Sequence, residues 1–260
     1  SSESFEECIQ SNTKLIYIET PSNPLMKLVD IFAIAKLAKA HQIITVADNT
    51  FASPIIQNPI DLGIDIVIHS ATKYFGGHSD ISAGAVASTQ EIMDKIWDLA
   101  KDFGGNLSDY TVWLLERSMK TLGIRVKAQQ RNAKRLAKYL KKHPAVKAVF
   151  YPGLKSNEYH NLAKIQMKGF GAMLSFELED NYDAEKFLKN LKLIKPSMSL
   201  AGVESTMLLP SKTSHSLLSE LDRINQGITD QLIRFSVGIE TKKDLIDDIE
   251  QAISASNSKR

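Results

Sequence analysis

The first half of the chain alternates short apolar runs with segments of helical periodicity. The apolar runs lie at 15–18, 43–47, 64–68 and 83–87. After the first run, Asp30 precedes apolar residues at helical spacing and is predicted to cap a helix. Short apolar strands separated by helices predict a mostly parallel sheet that is covered on both faces. Ligands of such sheets lie beyond the carboxyl ends of the strands, so the residues that follow these runs are the candidates for chemistry.

A long helical pattern occupies 107–142 and is softly broken around Gly123. Its second part, 125–142, carries eight basic residues and no acidic one. A nucleic-acid-binding helix is one interpretation. A solvated face is favoured, because an ordinary apolar stripe runs along the same helix. In addition, Tyr139 is the only aromatic residue of 125–142, whereas base stacking needs several.

The pattern changes after Pro144. Strands are predicted at 146–150, 174–178 and 232–237, and helices at 184–191, 216–226 and 242–253. The alternation in 174–178 is typical of a half-exposed antiparallel strand. The sequence therefore predicts a large α/β domain over 1–125, followed by a connecting helix and a smaller α+β domain over 126–260.

Composition restricts the function classes. The net charge of +2 gives no general argument for nucleic acid or for a membrane, and no apolar run approaches the ~20 residues of a membrane span. The single cysteine, Cys8, excludes an internal disulfide and a thiolate-rich metal site, and six scattered histidines predict no metal site. A cytoplasmic globular protein without nucleic-acid or membrane partners is the resulting prediction.

Polar clusters follow three of the apolar runs. They are ETPSNP at 19–24, DNT at 48–50 and SATK at 70–73. Each has an ordinary interpretation: Asp48 as a cap, Lys73 as a surface lysine, and Asn23 as an Asx turn before proline. Together they place a carboxylate, an amine and two hydroxyls at neighbouring strand ends, where a cofactor would lie.

These groups fit pyridoxal 5′-phosphate (PLP). Its aldehyde needs a lysine amine for a Schiff base, its pyridinium nitrogen needs an anion, and its phosphate needs hydroxyl and backbone donors. The sequence contains no Gly-x-Gly-x-x-Gly dinucleotide motif, no Gly-Lys-Ser/Thr P-loop and no His-Glu-x-x-His metal helix.

Three segments closely resemble the Cys/Met metabolism (trans-sulfuration) family of PLP enzymes: ETPSNP, VADNTF at 46–51 and HSATKYFGGH at 69–78. The resemblance continues, in the family's order, through 116–122, 199–205 and 232–240. It implies the fold-type I PLP-dependent transferase fold, like that of aspartate aminotransferase, with a large domain and a smaller C-terminal α+β domain.

The resemblance also implies site roles. Lys73 would form the Schiff base and later move protons, and Asp48 would hold the pyridinium nitrogen. Ser70 and Thr72 would bind the phosphate. The remaining implied site residues are Asn23, near the cofactor's phenolic oxygen and the substrate carboxylate, Ser199, positioning lysine and substrate, and Arg234, clamping the substrate α-carboxylate.

The implied activity is elimination at a carbon–sulfur bond of a sulfur amino acid, cystathionine or methionine, giving a 2-oxo acid, ammonia and a thiol or cysteine. The alternatives are cystathionine β-lyase chemistry, γ-replacement by a cystathionine γ-synthase or O-acylhomoserine sulfhydrylase, and a non-catalytic scaffold. Met198 leaves substrate choice open, because γ-enzymes that handle cystathionine often carry a carboxylate there and β-lyases an aromatic residue.

The chain also departs from the family pattern. Arg117-Ser118 replaces a usual Arg-Gly, and Ala201-Gly202 replaces a frequent Gly-Gly. Family members are longer, and they form homotetramers as dimers of dimers. The phosphate-gripping glycine loop, the ring-stacking aromatic residue and the residues lent by the neighbouring subunit would all precede Ser1. The large domain is therefore expected to be partial, and the 260-residue chain to be inactive by itself.

Overall fold

The computed structural model describes residues 2–257, which form two compact units. Unit 1 contains the residues up to Ser22, together with 27–123 and 161–169. Unit 2 contains 23–26, 124–160 and the chain from Phe170 onward. No helix of the described residues is long and apolar enough to cross a membrane.

The helices and strands alternate over much of the chain. In its first half they are α1 (Ser2–Glu6), β1 (Leu15–Glu19), α2 (Ile31–Ala40), β2 (Ile44–Asp48), α3 (Ser53–Ile56), β3 (Ile66–Ser70), β4 (Gly84–Ala87), α4 (Gln90–Phe103) and α5 (Asp109–Met119). In its second half they are α6 (Leu122–Leu140), β5 (Val146–Phe150), α7 (His160–Gln166), β6 (Met173–Leu178), α8 (Ala184–Asn190), β7 (Lys195–Pro196), β8 (Thr206–Leu208), α9 (Glu220–Asn225), β9 (Leu232–Ser236) and α10 (Lys242–Ser256).

The sheet of unit 1 has the order β1-β2-β3-β4. The first three strands are parallel, as predicted, and β4 pairs antiparallel with β3. The expectation that both faces are covered is wrong for β1 among the described residues. Ile16 and Ile18 are buried against α2, while Leu15 and Tyr17 are about half exposed. Successive side chains of a strand point to opposite faces, and α2 packs on one face only.

Asp30 begins α2 as predicted. Its Oδ1 accepts a hydrogen bond from the Ala33 amide at 3.0 Å, which satisfies one of the free N–H groups of the first turn. Ile31 and Ile34 on the inner face of the helix join the core under the sheet. The cap and the apolar stripe together fix the helix that closes this side of unit 1.

The predicted long helix is divided into α5 and α6, with the break just before Gly123. Seven of the eight basic residues of 125–142 are exposed, and Arg125 is buried. The apolar stripe of α6 is buried, as in an ordinary amphipathic helix.

Unit 2 contains a sheet of order β5-β6-β9-β8-β7, in which only the β7–β8 pair is parallel. The antiparallel pairing of β6 is confirmed, but the prediction that it is half exposed is wrong. Phe176 packs edge-on against Phe187 of α8 at 6.1 Å on one face. On the other face, Ser175 Oγ donates to the Pro24 carbonyl at 2.7 Å. Both faces of β6 are therefore covered.

A buried amide network supports the strand ends of unit 1. Gln57 Nε2 donates to the Thr20 carbonyl and to Asn49 Oδ1, both at 3.0 Å. Gln166 Nε2 donates to Gln57 Oε1 at 3.1 Å, and Asn49 Nδ2 donates to the Gln57 carbonyl at 2.8 Å. Gln57 thus ties the segment after β1 to the segment after β2.

We expect Gln57→Leu to lower the free energy of unfolding by ~1–3 kcal/mol, because it leaves buried partners unsatisfied. Urea unfolding followed by circular dichroism measures this change. The same substitution at the exposed Gln226 is the control and should have little effect. Equal stability of the two variants would contradict a structural role for the network.

Candidate active site

Unit 1 gathers four of the predicted site residues at the carboxyl edge of its sheet. β2 ends at Asp48 and its parallel neighbour β3 ends at Ser70. The chain then turns, with the Lys73 amide donating to the Ser70 carbonyl at 3.0 Å. Asp48, Ser70, Thr72 and Lys73 therefore lie on consecutive strand ends and the turn that follows, where doubly wound sheets bind ligands.

Two donors orient the Asp48 carboxylate. The Thr50 amide donates to Oδ1 at 2.9 Å, and the Tyr17 hydroxyl donates to Oδ2 at 3.3 Å. The sequence reasoning missed Tyr17. The parallel register of β1 and β2 is the feature that points to it. Glu19 pairs with Asp48, and Tyr17 lies two residues before Glu19, on the same face of β1.

Of the two residues proposed for phosphate binding, Thr72 has its hydroxyl hydrogen-bonded within the protein, and Ser70 has its backbone amide fixed. Thr72 Oγ1 accepts from the Ala83 amide at 2.9 Å and lies 3.3 Å from the Ala83 carbonyl. The Ser70 amide donates to Thr50 Oγ1 at 2.8 Å, which fixes the backbone at the end of β3. The Thr72 proton thus already has an acceptor within the protein, and that acceptor would compete with a bound anion.

The turn after Lys73 requires glycine. A Cβ at position 76 would lie 2.9 Å from Ile81 Cγ1 and 3.2 Å from the Ala71 carbonyl oxygen. Gly77 has φ +68°, in the left-handed region. The Gly77 amide donates to the Lys73 carbonyl at 2.7 Å, which closes the turn that carries the lysine.

His69 is a buried titratable group beside this site that sequence reasoning assigned to no role. Its ring meets Phe75 edge-on at 4.8 Å between centroids. Burial lowers the pKa of His69 to about 4, and the Asp48 charge opposes that shift only in part. The imidazole is therefore neutral near pH 7.

Unit 2 holds Arg234 on β9 with its side chain only 3% exposed. Nη2 donates to the Met198 carbonyl at 3.0 Å, and Nη1 donates to Asn23 Oδ1 at 3.4 Å. Burial lowers the pKa of Arg234 to about 10. None of the ion pairs within residues 2–257 involves this guanidinium. A buried cation with neutral partners only is suited to receive an anionic ligand.

The segment that carries Ser199 is anchored in unit 2. Its carbonyl accepts from Thr206 Oγ1 at 2.9 Å, and the Ala201 amide donates to Ser236 Oγ at 2.6 Å. Ala201 has φ +64°, and Gln129 Nε2 donates to the Gly202 carbonyl at 2.6 Å. Unit 2 thus brings Asn23 into contact with Arg234 and holds Ser199 next to Met198, whose carbonyl Arg234 binds.

A sequence profile described as Cys/Met metabolism PLP-dependent enzyme matches residues 1–254. The chain belongs to this family. The chain has the fold-type I PLP-dependent fold, as its two sheets and its solved relatives show. The family resemblance of the sequence is therefore confirmed.

Several family members are close relatives. The chain is 45% identical to cystathionine gamma-lyase of Bacillus subtilis over 254 residues, which are 97% of the chain and 67% of that enzyme. It is 46% identical to cystathionine beta-lyase of Lactococcus lactis subsp. cremoris, covering 94% of the chain and 64% of that protein.

A solved structure of a family member is also similar to the chain, in both sequence and fold. Cystathionine gamma-lyase from Lactobacillus plantarum, complexed with L-serine, superposes with a TM-score of 0.96 at 44% identity, over 98% of the chain and 68% of that protein. The chain thus spans about two thirds of the length of the relatives it matches.

The residues present fit the family's cofactor. Unit 1 supplies an amine on a rigid turn, a carboxylate oriented by two donors, and the hydroxyl of Ser70, all at one edge of the sheet. These are the groups that the aldehyde, the ring nitrogen and the phosphate of PLP require.

We expect His69 to make stability depend on pH. The folded chain keeps the ring neutral, while the unfolded chain takes up a proton below its ordinary pKa of 6.5, so stability falls as the pH drops from about 6.5 toward 4. Between pH 7 and pH 5 the loss is ~2 kcal/mol.

Urea unfolding at the two pH values, on the native chain and on His69→Gln, measures this loss. The variant should lose ~2 kcal/mol less than the native chain between the two pH values. His41→Gln, at an exposed position, is the control and should keep the native dependence. An unchanged pH dependence in His69→Gln would show that the pKa of the ring is the same in the folded and the unfolded chain.

Proposed function

We propose that the protein acts as a PLP-dependent carbon–sulfur lyase on cystathionine or methionine, and that the site residues act as described below. The observation that carries the proposal is the buried Arg234 without an ion-pair partner, on a chain whose other unit presents Lys73 and Asp48 at a sheet edge. The names of the relatives, which include an L-methionine gamma-lyase of Fusobacterium nucleatum at 42% identity, support chemistry at a carbon–sulfur bond.

Each residue of unit 1 has a specific task in this proposal. Lys73 would hold the cofactor through its aldehyde and would take the proton from the substrate Cα. Asp48, held by Tyr17 and Thr50, keeps the ring nitrogen protonated. Ser70 donates to the phosphate, and Thr72 does so by exchanging its hydrogen bond to the Ala83 carbonyl for one to the phosphate. When bound, PLP supplies the electron sink that stabilises negative charge at Cα.

The residues of unit 2 recognise the amino acid. The guanidinium of Arg234 matches a carboxylate with two parallel donors, and its lost hydration is restored by that anion. Asn23 fixes one side of the guanidinium through Oδ1. Ser199 positions the substrate and the lysine. These groups recognise the α-carboxylate and do not distinguish between substrate side chains.

The choice between reaction at the β-carbon and reaction at the γ-carbon of the substrate is a separate part of the proposal. Met198 is 64% exposed and offers neither a charge nor an aromatic ring, so it does not favour the distal ammonium and carboxylate of cystathionine over a short thioether. We therefore keep β-elimination and γ-replacement as alternatives. Product analysis with cystathionine, methionine and acetylhomoserine plus a thiol separates them, since the three reactions release cysteine, homocysteine, methanethiol or acetate in different combinations.

We also propose that the protein self-associates, as a dimer or as a dimer of dimers, in the cytoplasm. α4 is amphipathic and has no fully buried residue, so its apolar side chains are covered only in part by the described chain. Trp97, Phe103 and Trp113 on α4 and α5 are more than half exposed. Exposed aromatic groups in such numbers mark association surfaces. The free and exposed Cys8 agrees with a reducing compartment.

The function is tested in a chimera in which residues 1–254 replace the matching segment of the Bacillus subtilis relative. We expect this protein to bind PLP and to release a 2-oxo acid and a thiol from cystathionine or methionine. Lys73→Ala should abolish both the turnover and the borohydride-stable attachment of PLP at position 73, measured by peptide mass spectrometry. Asp48→Asn should reduce turnover by orders of magnitude at an unchanged fold.

Lys101→Ala is the control for Lys73→Ala, because Lys101 is an exposed lysine whose partner is Asp98. It should retain both signals. PLP attachment spread evenly over exposed lysines, with no preference for position 73, would contradict the assigned site. Retained attachment without elimination from any sulfur amino acid would instead favour the scaffold alternative.

We expect Arg234→Met to separate function from stability. Replacement of a desolvated cation by an apolar chain of similar length should leave the free energy of unfolding within ~1 kcal/mol of the native value, or raise it. Amino-acid binding should fall by at least about 100-fold, because a hydrogen-bonded charged partner is lost. Urea unfolding and substrate titration measure the two effects. A drop in stability as large as the drop in binding would show that Arg234 is structural.

A further inference from the structure

Unit 2 contains an open groove that none of the proposed catalytic steps uses. It lies between α8, β7, β8 and the turn at Pro210–Lys212, and it encloses about 470 Å³. This volume lies within the range of small-molecule sites. We call it the α8 groove and define it by Leu188, Lys189, Met198, Met207 and Lys212.

The lining of the α8 groove is mainly apolar. Leu188, Met207 and Leu209 line it and are themselves buried, and Pro196 and Met198 complete its wall near β7. Met198 is 64% exposed and gives the wall an adaptable surface, because a thioether chain changes rotamer easily. The groove therefore suits an unbranched apolar chain.

Three charged residues also line the groove. Lys212 Nζ lies 3.6 Å from Glu185 Oε1, so these two charges offset each other. Lys189 is exposed on α8, and none of the ion pairs among the described residues involves it. The charge of the lining is thus complementary to a single negative charge.

We propose that the α8 groove binds a small monocarboxylate with an unbranched apolar chain, the carboxylate at Lys189 and the chain along Pro196 and Met198. An apolar lining with one unmatched cation recognises that combination, whereas a dianion or a free polar amino acid would leave charges unpaired or desolvated.

An occupant of the α8 groove would act on the carboxylate-binding arginine. Met198 lines the groove, and its carbonyl accepts from Arg234 Nη2 at 3.0 Å. Leu208, another lining residue, pairs with Arg234 across β8 and β9. A ligand that shifts Met198 therefore changes a contact of Arg234, which makes the groove a modulatory site next to the proposed substrate-binding residue.

Hexanoate is the probe that tests the proposal, with the methionine methyl signals of the intact chain as the readout. We expect a saturable shift of the Met198 signal, and affinity that rises roughly three- to fourfold for each methylene from butanoate to hexanoate. Hexylammonium, with the same chain and the opposite charge, should not bind. This measurement needs neither PLP nor turnover, so its failure is distinguishable from failure of the proposed lyase function.

The matched variants lie on the same helix. Lys189→Glu should weaken hexanoate binding by about fivefold, because the one unmatched cation is reversed. Lys186→Glu makes the same charge change on α8 outside the groove and should leave binding unchanged. Equal weakening by both variants, equal binding of hexylammonium, or shifts confined to other methionines would overturn the proposal.

Discussion

The parallel, in-register pairing of β1, β2 and β3 is the constraint on which the candidate site of unit 1 depends. Parallel strands run to one edge of the sheet. Glu19 pairs with Asp48 there, and Ser70 lies two residues beyond Ile68, the partner of Asp48, so no contact between their side chains is required to bring them together. The groups at that edge are then oriented locally. Tyr17 and Thr50 hold the carboxylate, and the glycine turn after Lys73 holds the amine.

Desolvation is the second constraint, and it acts differently in the two units. In unit 1 it keeps His69 neutral next to a carboxylate, which preserves stability near neutral pH. In unit 2 desolvation lowers the pKa of Arg234 to about 10, so the guanidinium is still charged near pH 7 among neutral hydrogen-bond partners. An anionic ligand would offset the free-energy cost of burying this charge. Such uncompensated burial is common at functional sites, because ligand binding supplies the missing partner.

Unit 2 links Arg234, the residue proposed to bind the substrate carboxylate, to a groove of different character. Met198 belongs to both, through its backbone carbonyl on one side and its place in the α8 groove on the other. The position that leaves substrate choice open is therefore also the position through which an apolar carboxylate would reach Arg234. One exposed methionine, adaptable in shape, suits both roles better than a fixed charge or ring.

The sequence by itself determined seven of the nine strands of the described residues, the capped helix at Asp30 and the family, because apolar periodicity and motif spacing are local properties of the chain. It did not predict the short strands β7 and β8. It also placed Asp48 and Lys73 at strand ends. Only the tertiary structure decided which faces are covered, since the coverage of β1 and β6 depends on which distant segments pack there. Tyr17, the neutral His69 and the unpaired Arg234 likewise emerged only in three dimensions, because hydrogen-bond partners and desolvation arise from residues far apart in the chain.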